Sequence, residues 1–85
     1  INGIINESNV FYANIENGKL NVYVNLPAAN ESRLTIFNVL GQVMQQQNLY
    51  GNGQHEIDTR LTGGIYILSL QSQQGINSIK IYIPK

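Results

Sequence analysis

Eighty-five residues with five basic and five acidic side chains, no cysteine and 12% charged residues make one small domain, because a chain of this size can bury one core and not two. The balanced charge gives no long-range field to gather phosphate polymers or anionic lipid, which argues against a nucleic-acid partner. The missing cysteines remove thiolate nucleophiles, sulfur-ligated zinc and disulfide cross-links, while asparagine and glutamine, roughly a quarter of the residues, carry the surface polarity that charges usually supply.

Residues 1–9, "INGIINESN", have no sustained periodicity and carry three asparagines and a glycine, which suits a linker or a first-strand junction. Ile1 follows no initiator methionine or signal-peptide pattern, so the chain reads as part of a longer parent protein. No apolar run approaches the ~20 residues of a spanning helix, and no membrane insertion is expected. From Val10 onward, short apolar segments alternate with turns bearing glycine or asparagine. The spacing predicts seven strands, at about 10–15, 19–26, 33–38, 42–50, 54–58, 64–71 and 76–83; no stretch has a helical period.

The turns carry their own chemistry. Asn17-Gly18 tolerates positive φ and suits a tight hairpin. In "NVLG", Asn38 and Gly41 occupy the first and fourth positions favoured in a type I turn, and "YGNGQ" supplies Gly51 and Gly53 for a further reversal. These turns are expected to make successive strands antiparallel. Alternation then assigns faces. Leu20, Val22, Val24 and Leu26 point one way; Tyr66, Leu68 and Leu70 oppose Ile65, Ile67 and Ser69, and the serine marks the less buried side. With Ile79, Ile81 and Ile83, these make the expected core. The fold class is all-β, an immunoglobulin-like β-sandwich of about seven antiparallel strands, lacking the Cys and Trp hallmarks of antibody domains. The last strand has an open edge with little charge, so weak, reversible self-association through an edge strand is expected.

Candidate chemistry is sparse. "QHEIDT" brings His55, Glu56 and Asp58 together in sequence, but on a strand His55 shares a face with Ile57 while both carboxylates point the other way. A zinc-protease helix would need a second histidine where Thr59 stands. Gly51 and Gly53 precede no helix that could aim its N-terminus at a phosphate. The sequons Asn6-Glu7-Ser8 and Asn30-Glu31-Ser32 matter only in a glycosylating pathway. The five tyrosines fall on several strands and opposite faces, as packing residues do. The residues therefore predict no enzyme, no metal and no cofactor.

The pieces "KLNVYVN", "LTIFNVLGQVM", "GQHEIDTRLTGGIYILSL" and "GINSIKIYIPK", in this order and spacing, resemble the type A C-terminal sorting domain of type IX secretion system cargo proteins from the Bacteroidetes, over about Val10 to Lys85. The resemblance makes 10–85 the sorting domain. It implies a folded export signal with no catalytic residue, delivered by way of the periplasm and outer membrane to a secreted or cell-surface location. The implied partners are the outer-membrane translocon, its shuttle and a sortase that cleaves upstream of the domain and attaches the cargo to the surface. Lys80, Ile81, Ile83 and Lys85 become the residues expected to be read by that machinery, and Gly41, Gly64 and Tyr66 the scaffold of the motif. One departure stands out: Ala13 and Ile15 occupy places where many members carry prolines, so the opening turn differs. Two other readings remain open, a passive immunoglobulin-like module that spaces or binds carbohydrate or protein, and a retained domain that docks its parent through an exposed sheet edge. A patch of coplanar exposed tyrosines would favour the former.

Overall fold

The computed structural model describes residues 10–26, 31–73 and 75–84; the expectations for residues 1–9 and for Lys85 lie outside them. Seven strands follow one another: β1 (Phe11–Glu16), β2 (Lys19–Val24), β3 (Glu31–Phe37), β4 (Val43–Tyr50), β5 (Gly53–Ile57), β6 (Gly64–Ser72) and β7 (Gly75–Ile83). Each sits within a few residues of its expected place. The β1–β2 hairpin closes as its sequence dictates: Glu16 pairs with Lys19, and Asn17 between them has φ 56°, a left-handed value that asparagine accepts in a primed turn.

The strands form two sheets, one ordered β1-β2-β5 and the other β4-β3-β6-β7, with every pairing antiparallel. This is an immunoglobulin-like sandwich. The reversal at Gly51 and Gly53 differs from expectation. It joins no hairpin, because β4 pairs with β3 in one sheet and β5 with β2 in the other. Asn52 explains the crossing: its side-chain oxygen accepts from Leu26 N at 2.9 Å and its amide donates to Leu26 O at 3.0 Å. The side chain thereby pairs with the backbone as a neighbouring strand would, and ties the reversal to the end of β2.

Every strand contributes to the core, from Phe11 on β1 to Ile83 on β7. The face assignment of β6 holds, with Tyr66, Leu68 and Leu70 buried and Ile65 exposed. Alternation alone does not reveal Asn21, a buried polar residue on the central strand of the smaller sheet. Its oxygen accepts from Gln54 Nε2 at 2.9 Å, and its amide lies 3.5 Å from Glu16 Oε1, so cross-strand bonds offset its desolvation.

Candidate functional site

The C-terminal strand sets the geometry of the candidate recognition region. Along β7, Lys80 pairs with Ile67, Ile81 with Tyr66 and Ile83 with Gly64, and Ile67 in turn pairs with Phe37 at the end of β3. The last residues of β7 and the Asn38–Gly41 turn therefore share one end of the larger sheet. Period-two alternation divides the expected recognition residues between two environments. Ile81 and Ile83 face the core at 5% and 8% exposure, whereas Tyr82 between them is 61% exposed. Lys80 is half-buried on the outer face. In the folded domain Lys80 and Tyr82 face outward, and the isoleucines hold their strand against the core.

The three residues expected to form the motif's scaffold lie around the same end, and each has a local conformational reason. Gly41 closes the turn by donating its N–H to Asn38 O at 3.0 Å, with φ 84°. Asn38 Oδ1 also accepts from Leu40 N and Gln42 N at 2.9 and 3.0 Å, and Asn38 Nδ2 donates to Gln42 Oε1 at 2.7 Å. Gly64 starts β6 at φ 145°, in a region that side-chain-bearing residues rarely adopt. Tyr66 is buried, and its hydroxyl donates to Thr62 O at 2.8 Å. A tyrosine near the start of a strand that bonds backward to the preceding loop is the tyrosine corner of immunoglobulin-like sandwiches. Here it fixes the connection that carries the chain from β5 to β6.

Elsewhere the polar groups serve structure. His55 is half-buried, with Nε2 3.0 Å from Gly51 O. Glu56 points outward and meets Lys19 at 3.7 Å, both side chains being more than half exposed, a pair that contributes little to stability. Among the described residues no three His, Cys, Asp or Glu side chains are grouped to hold a metal ion. Tyr12 and Tyr23 stack with centroids 4.7 Å apart and an interplanar angle of 11°, so each ring covers one face of the other. That cross-strand pair follows from the β1–β2 register, in which the two residues are directly opposite. The sequence held the signal in the hairpin spacing, once the two-residue turn is counted.

Two antiparallel sheets, a tyrosine corner and a core that runs to the last strand define a small immunoglobulin-like domain. A family model described as a secretion system C-terminal sorting domain matches residues 10–84, and the chain belongs to that family, the sorting domains of the type IX secretion system. No curated protein and no solved structure matches the chain. The family is not a catalytic one. Its role is that of a C-terminal sorting signal, which implies interaction with the secretion machinery and export across the outer membrane, to the cell surface or beyond it.

Proposed function

We propose that the domain is read by the outer-membrane translocon and its shuttle after its parent has reached the periplasm, and that a sortase then cleaves upstream and attaches the cargo to the cell surface. Lys80 and Lys85 act in that reading through their charge, and Ile81 and Ile83 act through the strand they anchor. The observation that carries the proposal is the placement of β7. It is the terminal strand of the larger sheet, it is held in the core by its isoleucines, and it turns Lys80 and Tyr82 outward, with no strand among the described residues paired to its other edge. An ordered edge of this kind is a surface that a receptor can extend with a strand of its own.

The test fuses residues 1–85 behind a fluorescent protein that carries an inner-membrane export signal, in a host with the secretion system. Surface or medium fluorescence is expected, with the fusion shortened by removal of the domain. Fluorescence confined to the periplasm overturns the sorting role. Surface delivery of the uncleaved fusion overturns the sortase step alone.

A further inference from the structure

The outer face of the four-stranded sheet changes character along its length. Near Ser72 it carries Arg33 and Gln71 in register, with the exposed Ile76 standing singly opposite Gln71, and across its middle the small hydroxyls Thr35, Ser69 and Ser78. Beyond them, toward the end of β7, the face becomes apolar. Val43 lies opposite Phe37, Phe37 opposite Ile67, and Ile67 opposite Lys80; Ile65 and Tyr82 form the next pair. The band crosses all four strands. Val43, Ile65 and Tyr82 are exposed, and Phe37 and Ile67 are half-covered. The adjoining turn extends it with Val39 and Leu40, the latter 79% exposed.

The core does not require these side chains, since each projects away from it. Apolar residues scattered singly over a surface need no explanation, but a contiguous band marks an interaction site. Charge indicates its occupant. Lys80 stands within the band, and among the described residues the acidic side chain on this face is Glu31, across from Tyr50 at the opposite end. An ammonium group beside a desolvated apolar surface favours a partner that brings a carboxylate to it. A second copy packed face to face would offer only the same carboxylate-free band.

We infer that this band is the surface by which the sorting domain docks on a protein of the secretion machinery, one whose contact patch is apolar with a carboxylate placed to meet Lys80. The inference rests on the sorting role proposed above and names the surface that serves it. The test compares the fluorescent fusion carrying the wild-type domain with an Ile65→Thr/Tyr82→Thr double variant, Lys80→Glu, Lys80→Arg and, on the opposite sheet, Tyr12→Thr, each alongside the melting temperature of the purified domain. Threonine keeps the strand preference of these sites while removing apolar surface. The double variant and Lys80→Glu are expected to melt close to wild type and to leave cargo several-fold enriched in the periplasm. Tyr12→Thr is expected to export as wild type does, and Lys80→Arg to retain more export than Lys80→Glu because it keeps the charge.

If the wild-type cargo itself stays in the periplasm, the sorting role fails. If the wild type is exported and the double variant with it, the docking band alone fails. A dimer in sedimentation that the double variant dissolves overturns the inference in favour of a second copy, and binding to phosphatidylglycerol vesicles that the double variant loses overturns it in favour of lipid. Should the double variant unfold, the contrast between Lys80→Glu and Lys80→Arg decides.

Discussion

Tyr66→Phe keeps the buried ring and removes the bond to Thr62 O; the net loss of such a bond, with a carbonyl left less well satisfied, is about 1–3 kcal/mol. A lower urea midpoint with an unchanged slope is the expected result, and an unchanged midpoint would show that the corner contributes nothing. Ser32 presents the opposite case: it is buried on β3, and its hydroxyl has no hydrogen-bond partner among the described residues. Ser32→Ala removes an uncompensated polar group and is expected to raise stability by ~1 kcal/mol, read as a higher midpoint in the same titration. Gly64→Ala meets no steric obstacle, since a Cβ there would lie 3.9 Å from Tyr66 Cε2. Its cost of roughly 1–3 kcal/mol comes from φ alone. Of these three positions, Gly64 and Tyr66 were legible as parts of a motif. Ser32 was not, because the sequence pattern places the start of the third strand at 33, whereas β3 starts at Glu31 and takes Ser32 into the core.

At the scale of the strand, the period-two pattern told which face of β2, β6 and β7 is buried, because the inward runs Leu20 to Val24, Tyr66 to Leu70 and Ile79 to Ile83 are apolar. It could not tell which strands are neighbours. The pairings of β2 with β5 and of β3 with β6 depend on Asn52 and on the packing of one sheet over the other, neither of which leaves a local period. The candidate site was divided in the same way: the tail was legible as a strand, whereas the apolar band appears only when Val43, Phe37 and Ile67 are brought into register. The same topology bears on self-association. The larger sheet has two terminal strands, β4 and β7. β7 carries Lys80 and contacts β1 across the sandwich edge, whereas β4, "VMQQQNLY", has neither charge nor proline and relies on the register shift facing Ile36 and Phe37 to disturb its edge. Charged side chains and bulges are what keep such edges apart. Concentration-dependent dimers are therefore expected to form through β4. In sedimentation velocity Gln46→Lys should abolish them while Ser78→Lys on β7 leaves them, and the reverse outcome would return the edge to the last strand.

For the whole molecule, the strand proposed for recognition is also a strand of the hydrophobic core, and this decides which experiments on the tail are informative. Deleting residues 81–85 removes two buried isoleucines, each of which typically costs about 2–5 kcal/mol when cut back to alanine. It also removes the part of β7 that pairs with Gly64, Ile65 and Tyr66. The combined loss approaches the whole margin of a small domain, about 5–15 kcal/mol. The truncated chain is expected to lose its β-sheet circular dichroism and its cooperative melt, so a failure to export it would report unfolding and say nothing of recognition. If it melts as wild type does, the end of β7 is an appendage and the burial of Ile81 and Ile83 is energetically idle. The Lys80→Ala/Lys85→Ala variant separates the two roles. Lys80 lies on the outer face, and changes at surface lysines typically shift stability by only ~0.5 kcal/mol. The melt should be preserved, and cargo should accumulate in the periplasm, folded and with the domain still attached. Normal surface delivery of that variant would reduce both lysines to solvation, leaving the apolar band and the strand's backbone edge as the features a receptor can read.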